Sequence, residues 1–141
     1  MVSHILVPMD DSEMAETALQ FALETFPDAE ITVLHVAGSP TSYMGGAMSL
    51  AISDDIDDAV AERAEPVLTR ARELAAEAGC KIETEVDLGM PAKTIIEHAS
   101  EYDQVIIGSH SSSSTLAERL LLGNVAETVA HESPVPVTIV H

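Results

Sequence analysis

VIIGSHSSSSTLAERLLLGNV, residues 105–125, is the stretch whose reading decides the fold of this chain. The apolar run Val105-Ile106-Ile107 enters Gly108-Ser109-His110, crosses the hydroxyl residues Ser111, Ser112, Ser113, Ser114 and Thr115, and ends at Leu122-Gly123-Asn124-Val125. That is a strand, a loop of small residues and the start of a helix. In an α/β domain the ligand lies in the crevice at the carboxyl ends of the strands. A helix N-terminus there offers unpaired N–H groups and partial positive charge to an anion. A phosphate suits such a place.

Outward from this stretch the pattern repeats. Short, mostly β-branched runs at Ile5–Val7, Ile31–Val36, Ile82–Leu88, Val105–Ile107 and Val135–Val140 read as strands. Ser12 suits the N-cap of a helix reaching about Phe26, with Ala15, Ala18, Leu19, Ala22 and Leu23 in one apolar stripe. A second helix is predicted from about Asp54 to Ala78. Its buried face carries Ile56, Val60, Ala64, Val67, Leu68, Ala71 and Leu74, and Pro66 inside it predicts a kink near Ala64 or two abutting helices. The third helix starts at Pro91, a favoured first helical position, and ends near Glu101. The fourth follows Asn124, which can cap it while Glu127 completes a capping-box-like pair. Strand and helix alternating four times, closed by a final strand, predict an α/β three-layer sandwich with a five-stranded parallel sheet, one domain over residues 1–141.

Composition bounds the function. A chain of 141 residues buries enough apolar surface to need no staple. Its one cysteine, Cys80, excludes an internal disulfide and a multi-cysteine zinc site, and reads as a buried, inert thiol. The 24 acidic residues face 6 basic ones, with Lys81 and Lys93 the only lysines, for a formal charge of −18. Such a surface repels DNA, RNA and anionic lipid, and it repels itself. At molar salt the Debye length falls to about 3 Å and that penalty largely disappears, so a salt-rich cytoplasm is expected. An acidic disordered chain would lack periodic apolar segments, whereas 46% of these residues are hydrophobic and their spacing is regular. No apolar run approaches the roughly 20 residues of a membrane span, and no secretory leader is visible, so the expectation is a cytoplasmic protein with no membrane partner.

The motifs, taken together and in order, resemble a known family. They are Ile5-Leu6-Val7-Pro8-x-Asp10-x-Ser12, Val33-Leu34-His35-Val36, Gly89-x-Pro91, Ile106-Ile107-Gly108-Ser109-His110, Leu121-Leu122-Gly123-x-Val125-Ala126-Glu127 and Pro134-Val135-Pro136-Val137. The chain resembles the universal stress protein family over essentially its whole length. The resemblance implies a Rossmann-like fold of the adenine nucleotide alpha hydrolase type. In that family's nucleotide-binding branch it also implies ATP, with or without magnesium, along the carboxyl edge of the sheet. Asp10 would meet the adenosine part with the backbone near Met9 and Val36, while Gly108, His110, Ser111, Gly123, Asn124 and Val125 would hold ribose and phosphates. It implies a homodimer through the last strand, Val135–Val140. The branch's loop pattern is Gly, two residues, Gly, nine residues, Gly, then Ser or Thr. Here Ser111 replaces the second glycine, eleven residues separate it from Gly123, and Asn124 replaces the hydroxyl residue. A serine Cβ at a positive φ costs on the order of 1 kcal/mol and crowds a phosphate, whereas Asn124 still caps and donates.

Other features carry two readings each. Asp10 is placed either to accept from a ribose hydroxyl or an adenine amine, or to cap a helix. The Ser111–Thr115 loop is a phosphate cradle, a linker or a modification site; His110 is a phosphate donor or a solvated loop residue. His35, near a strand end, reads as a satisfied structural residue. Asp54-Asp55-Ile56-Asp57-Asp58 reads as a solvated helix start that complements the macrodipole rather than as a metal site. Residues 38–50 are either a lid over the nucleotide or a plain loop. There is no Walker loop, no G-x-S-x-G elbow and no paired-histidine metal motif, and Ser109 beside His110 is no triad. The expectation is a stress-response module that binds ATP or a related adenine nucleotide and turns it over slowly if at all. Its rival is a dimeric interaction protein of the same fold that holds no nucleotide; a nucleotidyl-transfer enzyme lacks any identified acid, base or metal site.

Overall fold

The computed structural model describes residues 2–37, 53–109 and 125–141, and for 53–57 the backbone alone. Strands β1 (His4–Pro8), β2 (Glu30–Ala37), β3 (Ile82–Leu88), β4 (Gln104–Gly108) and β5 (Val137–Val140) alternate with helices α1 (Glu13–Thr25), α2 (Ser53–Glu77), α3 (Pro91–Ala99) and α4 (Val125–Glu132). All ladders are parallel, in the order β3-β2-β1-β4-β5. Ile5 stands opposite Ile31 on one side and Gln104 on the other.

The period-2 geometry of strands sorts these apolar runs into two cores. Ile5, Val7, Ile31, Val33 and Ile106 face α1 and α2, whereas Leu6, Leu34, Val105 and Ile107 face α3 and α4. Near-continuous apolar runs are what a parallel sheet covered on both faces requires. The structure is thus the predicted three-layer α/β sandwich.

Helix α1 begins as its sequence predicts, with Ser12 Oγ accepting from the Ala15 N–H at 3.1 Å. Its buried stripe is Ala15, Ala18, Leu19, Ala22 and Leu23. In α2 the residues Val60, Ala64, Val67, Leu68, Ala71 and Leu74 are buried as expected, joined by Ala75; Ile56 lies outside the described side chains.

Several expectations need correction. Helix α2 is one continuous element with Pro66 inside it, not two abutting helices. Pro66 and Glu62 are both exposed, so water can satisfy the Glu62 carbonyl that the proline leaves free. Strand β5 starts at Val137 rather than Val135: Pro136 has no N–H to give, although its carbonyl still accepts from the Val105 N–H at 2.9 Å. Helix α3 ends at Ala99. Cys80 is half-buried rather than buried, lying against the edge of the first core in the turn after α2.

Candidate functional site

Strands β1 and β4 are neighbours, yet their chains leave the sheet in opposite directions: β1 feeds α1 on one face and β4 leads toward α4 on the other. A crevice opens at this switch point. It is a pocket of about 350 Å³, within the range of roughly 300–1,000 Å³ common for small-molecule sites. Its floor is Pro8, Met9 and Asp10 from β1, Leu34 and Val36 from β2, and Ile107, Gly108 and Ser109 from β4. Its walls are the starts of α1 (Ser12, Ala15), α3 (Met90, Pro91, Ala92, Lys93, Ile95) and α4 (Val125, Ala126, Thr128).

The floor is fixed by backbone bonds. The Met9 N–H donates to the Leu34 carbonyl at 2.9 Å, and His35 Nδ1 donates to the Met9 carbonyl at 2.9 Å, the carbonyl having no proton to give. His35 is therefore the satisfied structural residue expected of it. The Met9 side chain is buried in the core with α1 and α2. Asp10 is exposed; its Oδ1 accepts from the Ser12 N–H at 2.9 Å, while its Oδ2 has no hydrogen bond among the described residues. The same carboxylate thus organises the turn before α1 and leaves its second oxygen without a partner among the described residues.

Gly108 is required by packing. A Cβ there would run into the Met14 carbonyl oxygen and stand 2.6 Å from the Met14 carbonyl carbon, so β4 can lie this close to the start of α1 only without a side chain. Gly89 serves the wall. Its φ of +155° and an added Cβ at 2.6 Å from Thr94 Oγ1 exclude a side chain, and its N–H donates to the Ala37 carbonyl at 3.0 Å. This turn delivers Pro91 and Lys93 to the pocket. Behind it, His98 Nε2 lies 2.8 Å from Asp87 Oδ2 and the Leu88 N–H donates to Asp87 Oδ1 at 2.7 Å, tying α3 to β3. The His98 hydrogen bond, followed by that of Leu88, holds the Asp87 carboxyl below the ordinary carboxylate range.

Of the residues singled out in the sequence, Met9, Asp10, Val36, Gly108 and Val125 come together around one pocket. His110, Ser111, Gly123 and Asn124 lie outside the described residues, as do the 38–50 segment and the Ser111–Thr115 loop. The sequence reading missed Lys93, Met90 and Thr128. For Lys93 a signal existed: it is one of two lysines and stands two residues into a helix whose start belongs at the ligand edge. Among the described residues no group of His, Cys, Asp or Glu is arranged to hold a metal ion, and no helix is long and apolar enough to cross a membrane.

Chemically the pocket offers a mostly apolar lining, a carboxylate acceptor and a cation. Comparison with known proteins agrees with this architecture. The model of the universal stress protein family matches residues 1–141. The chain belongs to the universal stress protein family. It is 33% identical to universal stress protein YxiE of Bacillus subtilis, covering 99% of both chains. Among solved structures it superposes on the universal stress protein UspA from Lactobacillus plantarum with a TM-score of 0.77 and 25% identity, over 99% of this chain and 98% of that one. A universal stress protein solved in complex with cAMP matches at a TM-score of 0.69 and 27% identity, over 99% of this chain and 97% of that one.

Proposed function

We propose that this universal stress protein binds ATP or a related adenine nucleotide in the switch-point pocket and signals through its bound state, turning the nucleotide over slowly if at all. The observation that carries the reading is the convergence of Asp10, with one oxygen uncommitted among the described residues, and apolar side chains of β1, β2 and β4 on one pocket of fitting size. In this reading Asp10 accepts from the ribose or the adenine amine beside the backbone of Met9 and Val36. Gly108 and Val125, with His110, Ser111, Gly123 and Asn124 of the connecting segment, hold ribose and phosphates, with or without magnesium. The related structure with cAMP supports an adenine nucleotide as the ligand class.

Calorimetric titration with ATP, in molar potassium chloride with magnesium, tests it. Saturable binding that Asp10→Ala weakens is expected. No heat from the wild-type protein, and no nucleotide carried through native purification, would favour the dimeric interaction protein instead. We also propose a homodimer through β5, whose outer edge has no ladder partner among the described residues. Light scattering in molar salt that shows a monomer at high micromolar concentration would refute the dimer.

A further inference from the structure

A nucleotide phosphate approaching a chain of formal charge −18 meets repulsion over most of its path. The pocket is different. The chain as a whole carries 24 acids against 6 bases, but the described lining of the pocket carries one acid, Asp10, and one base, Lys93. The other lysine, Lys81, stands in the turn before β3 and takes no part in the lining. Arg70 is committed to Glu16 and Glu73, and Arg72 to Glu65. Lys93 makes no ion pair among the described residues, although Glu97 stands one turn further along α3.

The start of α3 reinforces that charge. The first turns of α1 and α4 carry Glu13, Glu16 and Glu127, whereas that of α3 carries no acid, and Met90 at its N-cap makes no side-chain cap bond. The cation and the N-terminal partial charge of the helix therefore act in the same direction, on the same wall of the cavity. Asp10 leaves β1 on the floor and would repel a phosphate laid against it.

We infer that Lys93 is the cationic contact for the phosphate end of the bound nucleotide, and that it makes the site select phosphorylated adenine nucleotides over adenosine. This rests on the nucleotide reading of the pocket. Asp10 and Lys93 both line the pocket, and on this reading the carboxylate serves the nucleoside and the ammonium the phosphate.

The test is titration of wild type, Lys93→Gln and Lys93→Arg with adenosine, AMP and ATP, each at two potassium chloride concentrations at which circular dichroism shows all three folded. Lys93→Gln is expected to weaken AMP and ATP by about tenfold, as loss of a charge-assisted contact does, and to leave adenosine within about twofold. Lys93→Arg is expected to retain most of the phosphate preference, and the difference between wild type and Lys93→Gln to shrink as salt rises. Equal losses for adenosine and AMP, or no loss for either, would overturn the assignment of Lys93 while leaving the nucleotide reading in place. Failure of the wild-type protein to bind any of the three would overturn both.

Discussion

Two aspartates at opposite ends of the same pair of strands are used differently. At the amino end Asp103, just before β4, accepts at Oδ2 from the N–H groups of Ser3 and His4, both at 2.9 Å, and its own N–H donates to the His4 carbonyl at 2.8 Å. It ties the entry of β4 to the entry of β1 across some 100 residues of chain. At the carboxyl end Asp10 makes one bond among the described residues, to the Ser12 N–H two residues on, and organises its own turn. One end of the β1–β4 seam is closed by side-chain bonds; the other is left open, with a carboxylate and a lysine beside the gap. An aspartate's partners, more than its residue type, separate one that ties two strands together from one that lines an open pocket.

The largest expected effect lies where the open end is nonetheless tightly built. Gly108→Ala forces β4 away from the start of α1, because the new Cβ overlaps the Met14 backbone. The expected loss is about 2 kcal/mol, read as a lower chemical-denaturation midpoint, together with weaker nucleotide binding because Asp10 and Ser12 move with α1. An unchanged midpoint would show that the seam yields at this end too, and would erase the contrast.

Next in size is the exchange of roles between the two aspartates. Asp10→Ala is expected to cost about tenfold in ATP affinity with little change in melting temperature, since the exposed Ser12 turn can bond to water instead. Asp103→Ala is expected to do the reverse, lowering the melting temperature with ATP affinity unchanged. If Asp103→Ala weakened binding as much as Asp10→Ala, the two ends would be coupled through β1 and the division of labour would fail.

Much of this was readable in the sequence because it depends on local chemistry. The apolar runs of β1, β2 and β4, the Ser12 cap, the stripe of α1 and the Gly89-x-Pro91 turn each follow from a few neighbouring residues. Placing Asp10 and Gly108 on one pocket needed only the rule that strand ends gather at a switch point. What stayed hidden depends on pairs far apart in the chain. Gly108 owes its lack of a side chain to Met14, and Asp103 owes its role to Ser3 and His4. Lys93 reaches the pocket because α3 and β1 converge in space. Of the two outcomes that Pro66 allowed, two abutting helices did not occur, because an exposed helix face can hydrate the carbonyl that a proline frees.

The smallest expected effect follows from acid titration of the closed end. The Ser3 and His4 N–H groups hold the Asp103 carboxyl below its ordinary value of 3.8, and the His98 and Leu88 bonds do the same for Asp87. A carboxyl whose folded value lies below its unfolded one stabilises the fold above the unfolded value, and that contribution disappears as pH falls through the folded value. Asp103→Asn keeps an acceptor oxygen and removes the charge, so it should melt below wild type at neutral pH. The gap should stay constant down to about pH 4 and close below it, as the wild-type carboxyl takes up its proton. Both proteins shed the same remaining surface charge over that interval, so the difference between their melting curves isolates Asp103 from the general relief of acidic repulsion. A gap that persisted undiminished well below pH 3.8 would show that Asp103 holds Ser3 and His4 by oxygen geometry alone, and that its charge contributes nothing to closing the amino end of the sheet.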